Sequence, residues 1–184
     1  SVVLPGVQKW VMESNWKLAA EQHASDMYHA AVTHGSSIRA LAPPDFDPKH
    51  QGLQDRDGIQ YSDANGHGGG FFWQENPAPQ VWAQPAAQAW QFSSYPEAES
   101  RLGKLRAKRF SGHNTLFPNF GFLFSTQSIR VWHPRGPNQM EVWAWVLVDK
   151  KATEEAKEAF RVGAMRGFGP AGMLEQDDGE NWVE

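Results

Sequence analysis

Residues 14–34 have the composition of a helix, being rich in Ala, Leu, Met, Glu and Gln and followed by a glycine that serves as a stop signal. One stripe at helical spacing consists of Leu18, Gln22, Ser25 and His29. This stripe is more polar than the buried face of an amphipathic helix normally is. The pattern therefore predicts a helix over residues 14–34 whose buried face carries a functional site.

The pattern changes to strict alternation at residues 129–133, and a turn sequence, HPRGPN, follows. In the next segment, residues 140–148, two apolar sets alternate along the chain. One side carries Val142, Ala144, Val146 and Val148, and the other carries Trp143, Trp145 and Leu147. The two segments are predicted to form an antiparallel hairpin, and the second strand is expected deep in a sheet because both of its faces are apolar.

Two further helices and one long loop complete the predicted layout. A helix is predicted over residues 97–110, introduced by Pro96, and another over residues 153–165 with Thr153 as N-cap. The Pro, Gly and Asp density of residues 41–80 favours turns, so this region is predicted to be a loop. Helices that flank a run of strands indicate one α+β domain.

Composition and charge exclude several functions. The chain has 184 residues, 17 Lys+Arg against 21 Asp+Glu, a net charge of −4 and no cysteine. This balance, without a basic run, argues against nucleic acid or an anionic membrane surface as partner. The absence of cysteine excludes thiolate ligands within this chain, so any metal must bind nitrogen and oxygen. No apolar run approaches the length of a membrane span and no signal peptide is present at the start, so the cytoplasm is the expected compartment.

The candidate chemistry begins with Asp26, His29 and His34 in the first predicted helix. Asp26 and His29 are three residues apart and would lie on one helical face. His29 and His34 are five apart, which separates them by about 140° around a straight helix. To bind one ion together they require a helix that is bulged or broken near residues 30–33. The alternative is that one histidine is an ordinary polar residue at a helix end.

A carboxylate to complete a metal site is available near the C-terminus. The acidic run of residues 175–180 follows a sharply turning segment, and it contains the adjacent pair Asp177 and Asp178. Two histidines and one carboxylate are the ligand set of non-haem Fe(II) oxygenases. Taken alone, an acidic run is more often a solvated face.

Four stretches, VQKWVMESNWKLAAEQHASDMYHAAVTH, GHNTLFPN, RVWHPRGPNQMEVWAWVLVD and RGFGPAGMLEQDDGENW, together resemble a known family over nearly the whole chain. The family is the catalytic domain of the large (α) subunit of Rieske-type aromatic-ring-hydroxylating dioxygenases. The resemblance implies a helix-grip fold, similar to Bet v 1 and START domains, in which an antiparallel sheet wraps around a long helix. Iron and substrate would lie between the two.

The resemblance also implies roles for individual residues. His29, His34 and Asp178 would bind mononuclear Fe(II), with Asp177 as the alternative carboxylate. Asp26 would link an iron-bound histidine to the Rieske domain of a neighbouring α subunit and carry the electron path. The residues that match the substrate pocket are Gln22, His23, His113, Leu123, Phe168 and Leu174, with Trp132 at the pocket end. His113, Phe168 and Leu174 are equally compatible with ordinary core positions.

The implied reaction adds both atoms of O2 to an aromatic ring and gives a cis-dihydrodiol. Electrons would come from NAD(P)H through a reductase, a ferredoxin and a Rieske [2Fe-2S] cluster. Two- to four-ring hydrocarbons are the expected substrates, and an α3 or α3β3 oligomer with a small β subunit is the expected assembly. Because a Rieske domain needs cysteines, this chain resembles a catalytic fragment without the N-terminal Rieske domain and the C-terminal end.

Two rival functions use the same residues differently. A helix-grip domain that binds a hydrophobic ligand without redox chemistry would use the same cavity but no metal. A zinc hydrolase would use the same three ligands without redox chemistry. Iron content separates the first rival from the oxygenase, and O2 consumption coupled to a reductant separates the second.

Overall fold

The computed structural model describes residues 1–41, 58–73, 84–107, 109–124 and 126–183. The helices in these ranges are α1 (Trp16–Ser25), α2 (His29–Thr33), α3 (Gly35–Leu41), α4 (Pro85–Leu102), α5 (Lys104–Ala107), α6 (Glu154–Phe168) and α7 (Met173–Val183). The strands are β1 (Val2–Val3), β2 (Gln8–Met12), β3 (Gly58–Ser62), β4 (Gly68–Trp73), β5 (Arg109–Leu116), β6 (Phe120–Leu123), β7 (Ser128–Pro134) and β8 (Met140–Val148). None of the helices described is long and apolar enough to cross a lipid bilayer.

The strands form one antiparallel sheet in the order β1-β8-β7-β6-β5-β4-β3, and β2 pairs with β8 next to β1. The hairpin predicted from residue alternation is confirmed as β7 and β8, in which Ile129 pairs with Trp145. The even-numbered apolar residues of β8 are buried, whereas Trp143 and Trp145 are half-buried on the opposite face. The α+β class with an antiparallel sheet is therefore confirmed.

The prediction of a loop over residues 41–80 is wrong where this region is described. β3 and β4 form a regular antiparallel hairpin, with Gly58 opposite Phe72 and Ser62 opposite Gly68. Residues 42–57 and 74–80 lie outside the described residues. Two glycines of β4 permit a close approach of α1 and the residues after it. A Cβ added at Gly68 would overlap the backbone oxygen of Ala24 in α1, and one added at Gly70 would overlap the side chain of Met27, just beyond the end of α1. The glycine run suggests a turn in the sequence, but in the structure it permits the helix to pack closely against the sheet.

The second predicted helix has the wrong limits. α4 begins at Pro85, so Pro96 lies inside the helix, and the chain leaves it at Gly103 with a φ of +80°. The hydroxyls of Ser93 and Ser94 donate to main-chain carbonyls one turn earlier, which is a known accompaniment of irregular helix backbone. Residues 109 and 110, predicted as the last two residues of this helix, belong instead to strand β5.

The single helix predicted over residues 14–34 is also wrong. α1 ends at Ser25, the next residue, Asp26, has extended backbone angles, and α2 begins at His29. A third helix, α3, follows directly after His34. The break therefore lies before the predicted place at residues 30–33, which are helical up to Thr33.

Two buried clusters hold the helices against the sheet. One joins α1, β7, β8 and α7 through Ala19, Ala20, Trp132, Met140, Val142 and Trp182. The other joins α4, β8 and α6 through Ala87, Val146, Val148, Ala159, Phe160 and Ala164. The predicted helix over residues 153–165 is confirmed as α6, and the Thr153 side chain accepts a hydrogen bond from the Ala156 N–H. α1 packs across β3 to β7, so the break after α1 lies over the sheet.

Candidate metal centre

The break between α1 and α2 places the first two candidate ligands. The carboxylate of Asp26 accepts hydrogen bonds from the backbone N–H groups of Tyr28 (3.0 Å) and His29 (3.1 Å). These bonds satisfy N–H groups at the start of α2 that have no partner within the helix. His29 is the first residue of α2 and His34 is its C-cap, and their ring centroids lie 5.0 Å apart. The two imidazoles thus come from the two ends of one short helix.

Asp178 reaches the same point from the far end of the chain. It is buried on α7, which the turn after Phe168 directs back toward α3. Its Oδ1 atom lies 3.3 Å from Nε2 of His29 and 3.1 Å from Nε2 of His34. The potential ligand atoms of the three residues all lie within 4.8 Å of one another. The acidic run predicted as either a solvated face or a ligand source is a helix with a buried side at Asp178.

The other ring nitrogen of each histidine has its own acceptor. Nδ1 of His29 is 2.8 Å from the backbone oxygen of Asp26, while the Asp26 carboxylate is 3.5 Å away. Nδ1 of His34 is 3.1 Å from Oδ2 of Asp177. An acceptor at Nδ1 fixes the proton there in the neutral ring and leaves the lone pair of Nε2 for a metal. The adjacent carboxylates therefore differ in position: Asp178 faces both Nε2 atoms, and Asp177 lies behind His34.

These donor atoms fit a divalent metal in chemistry as well as in distance. Two neutral imidazoles and one carboxylate, without thiolate, match the facial set that binds Fe(II) in non-haem oxygenases and leaves positions open. Burial alone would raise the pKa of Asp178, but hydrogen bonds to His29 and His34 hold it well below its usual value. Burial lowers the pKa of His34, and the hydrogen bond to Asp178 outweighs this and raises it. The carboxylate is therefore already ionised, as a ligand must be.

Gln22 connects the carboxylate to α7. Its amide nitrogen donates to Oδ1 of Asp178 at 2.7 Å and lies 3.3 Å from Nε2 of His29. Its amide oxygen accepts a hydrogen bond from Nε1 of Trp182 at 2.7 Å. The sequence resemblance assigned Gln22 to the substrate pocket, and the structure places it against both the ligand cluster and the cavity.

A buried ion pair, which the sequence analysis missed, connects α7 to strand β7. Arg130 of β7 donates from Nη1 to Oε2 of Glu175 at 2.7 Å, and both side chains are at most 2% exposed. Glu175 lies one helical turn before Asp178, so the pair fixes the start of the helix that carries the carboxylate. The alternation of residues along the strand could have indicated this ion pair, because Arg130 lies on the same inward side of β7 as Trp132.

A cavity of about 60 Å3 adjoins the three candidate ligands. Its wall includes all six residues that the resemblance assigned to the substrate pocket: Gln22, His23, His113, Leu123, Phe168 and Leu174. Leu123, Phe168 and Leu174 also form a buried cluster, so they are core residues and cavity residues at once. Trp132 is fully buried in the main core and meets the His23 ring at a centroid distance of 4.8 Å, outside the cavity wall.

Comparison with known proteins identifies the family. The profile described as the ring hydroxylating alpha subunit (catalytic domain) matches residues 4–184. The chain belongs to this family. It is 45% identical over 191 residues to the biphenyl dioxygenase subunit alpha of Paraburkholderia xenovorans, and 43% identical over 193 residues to the benzene 1,2-dioxygenase subunit alpha of Pseudomonas putida. The alignments cover 100% and 99% of this chain but only 41% and 42% of those proteins.

A solved structure supports the same assignment. The chain superimposes on naphthalene 1,2-dioxygenase with indole bound in the active site, with a TM-score of 0.81 and 27% sequence identity. The match covers 99% of this chain and 42% of the naphthalene dioxygenase chain. The family resemblance stated from sequence motifs is therefore confirmed, and the described part of this chain has the fold of a ring-hydroxylating catalytic domain.

Proposed function

We propose that this chain is the iron-binding catalytic part of a dioxygenase that adds O2 to an aromatic ring and gives a cis-dihydrodiol. The observation that carries the proposal is the convergence of His29, His34 and Asp178 beside a largely apolar cavity, in a chain of the ring-hydroxylating family. Fe(II) held by these three residues would supply the activation of O2 through its open coordination positions. Two- to four-ring aromatic hydrocarbons are the proposed substrates.

The residues around the ligands have definite tasks in this proposal. Asp177 holds the proton on Nδ1 of His34, and the Asp26 carbonyl does the same for His29, so both Nε2 atoms remain available. Gln22 orients the Asp178 carboxylate through its amide nitrogen. Leu123, Phe168 and Leu174 exclude water from the cavity and position a flat ring by shape.

The electron path is proposed to enter at Asp26. Its side chain is 42% exposed, so a neighbouring protein surface can reach it, while its main-chain oxygen contacts Nδ1 of His29. The donor would be the Rieske [2Fe-2S] domain of a neighbouring α subunit, supplied by a ferredoxin and a reductase from NAD(P)H. An α3 or α3β3 assembly would bring the two domains together.

Iron stoichiometry tests the metal site directly. We expect about one Fe(II) per chain after anaerobic reconstitution, and a large loss in His29→Ala and Asp178→Asn. His133→Ala is the matched control, because His133 is a half-buried histidine on the far side of β7 that contacts Trp143. Full iron binding by the two ligand variants would refute the site.

Redox chemistry is tested by oxygen uptake. With a chemical reductant and naphthalene, the iron-loaded chain should consume O2 in proportion to reductant oxidised in a single turnover. Zinc has no redox chemistry, so zinc loading should abolish uptake. Retention of naphthalene binding without any iron in the wild-type chain would favour a binding domain instead.

A further inference from the structure

The break between α1 and α2 is held by one hydrogen bond from a distant part of the chain. Three of the four backbone N–H groups of residues 26–29 donate to local acceptors, the Gln22 backbone oxygen and the Asp26 carboxylate. The fourth, that of Met27, donates to the side-chain Oε1 of Gln60 at 2.9 Å. Gln60 lies on β3, so this side chain ties the break to the β3–β4 hairpin.

The N–H of Met27 and the C=O of Asp26 belong to the same peptide group. The oxygen of that group lies 2.8 Å from Nδ1 of His29. A peptide group is planar, so rotation of this one group would break the bond to Gln60 and the bond to His29 together. A partner on the N–H also polarises the group and strengthens its oxygen as an acceptor. Gln60 is therefore connected to the His29 ring through two hydrogen bonds and one rigid peptide group.

The side chain of Met27 fixes the same segment against the sheet. It is buried, and it lies so close to Gly70 of β4 and Gly112 of β5 that a Cβ at either position would overlap it. Gly70 is also the strand partner of Gln60. The hairpin thus holds the break at two neighbouring points, the N–H of Met27 and its side chain.

We propose that Gln60 is a positioning residue for the metal centre, because its side-chain oxygen holds the peptide group that orients His29. The inference rests on the proposed function, since it takes His29 as an iron ligand. Gln60 acts through the backbone and is not itself a ligand. The β3–β4 hairpin, which lies at one end of the sheet, then has a task in the site as well as in the fold.

Two substitutions of similar length separate the acceptor from the packing. Gln60→Met keeps the length of the side chain but removes the oxygen, whereas Gln60→Glu keeps an acceptor oxygen at the same reach. Ser62→Ala is the matched control, because Ser62 is exposed on the same face of β3. All five residues of β3 are exposed, so we expect each variant of the full chain to fold. About 0.5 M salt screens repulsion between the new carboxylate and Asp26.

Hydrogen exchange of the Met27 amide, measured by NMR on the metal-free chain, tests the bond itself. We expect exchange to be about tenfold faster in Gln60→Met, which is the usual effect of one lost hydrogen bond. Gln60→Glu and Ser62→Ala should exchange as slowly as the wild type. Wild-type exchange in Gln60→Met would show that Gln60 does not hold this amide, and the proposal would be overturned.

Metal binding tests the consequence for the site. We expect the Fe(II) dissociation constant to rise about tenfold in Gln60→Met, as is typical when a residue that supports a metal ligand is changed. The visible absorption of bound Co(II), which reports coordination geometry, should also change at saturating metal. Gln60→Glu should restore both properties.

Three results would overturn the proposal. Weaker binding with an unchanged Co(II) spectrum would mean that Gln60 supports only the hairpin. Equal losses in Gln60→Met and Gln60→Glu would mean that the acceptor oxygen has no role. Failure of the wild type itself to bind metal would overturn the proposed function and this inference with it, and it differs from a wild type that binds metal as tightly as Gln60→Met does.

Discussion

The buried pair of Arg130 and Glu175 gives the sharpest stability prediction. Removal from water raises the pKa of Glu175 to about 7, and the adjacent Arg130 guanidinium opposes this rise without cancelling it. The ordinary value is 4.5. A carboxyl group whose pKa is higher in the folded state than in the unfolded state stabilises the fold most at a pH below its unfolded-state pKa. This stabilisation is lost as the pH rises through the folded-state pKa.

The size of the effect follows from the two pKa values. Between pH 5.5 and pH 8, the wild type should lose about 2 kcal/mol of unfolding free energy relative to Glu175→Gln, which cannot titrate. Urea unfolding of the metal-free chain with a chelator present, at four pH values across this range, measures the difference. Because both proteins share every other titrating group, those contributions cancel in the comparison.

Two control variants show whether burial or the ion pair has the stronger influence on the pKa of Glu175. Glu180→Gln removes an exposed carboxylate from the same helix. Its unfolding free energy should differ from that of the wild type by the same amount at every pH. Arg130→Met removes the opposing charge and should destabilise the chain by about 3–5 kcal/mol at pH 8, because it leaves a buried carboxylate unpaired. If the difference in unfolding free energy between the wild type and Glu175→Gln does not change with pH, the reasoning is refuted. The Arg130 charge would then keep Glu175 ionised over the whole pH range.

Three further predictions concern the metal centre. Asp177→Asn should weaken Fe(II) binding about 10- to 100-fold while leaving the fold intact, and an unchanged dissociation constant in a metal titration would contradict the role given to Asp177. Because Asp178 raises the pKa of His34, Fe(II) affinity should fall as the pH drops through that pKa, by up to about tenfold per unit; a pH-independent affinity would count against His34 as a ligand. Asp26→Asn should keep iron bound but sharply reduce turnover by the complete enzyme with its electron donors, and unchanged turnover would remove Asp26 from the electron path.

Regular elements with a strong pattern were predictable from the sequence, and elements shaped by tertiary contacts were not. The hairpin of β7 and β8 follows from alternation, and α6 from a Thr153 cap followed by acidic residues. The β3–β4 hairpin was missed because its glycines signal turns locally, whereas Gly68 and Gly70 permit close contact with Ala24 and Met27. The limits of α4 were missed because Pro96 is normally a helix start and here lies inside the helix.

The site shows the same division. Its three converging residues were named from the sequence, but the spacing of His29 and His34 could indicate only that the helix must be distorted. The place of the break depends on the Asp26 carboxylate, which caps α2 with two backbone hydrogen bonds. The separate positions of Asp177 and Asp178 follow from the orientation of α7, which residue spacing does not specify.

Two of the proposed ligands stand in the first fifth of the chain and the third stands near its end, so only the folded chain offers all three to one ion. An ion that binds the native state alone shifts the folding equilibrium by mass action, by about 2.7 kcal/mol at a free concentration one hundred times the dissociation constant. Iron supply would then set the lifetime of the protein as well as its chemistry. Under iron starvation, proteolysis would remove the unloaded chains first.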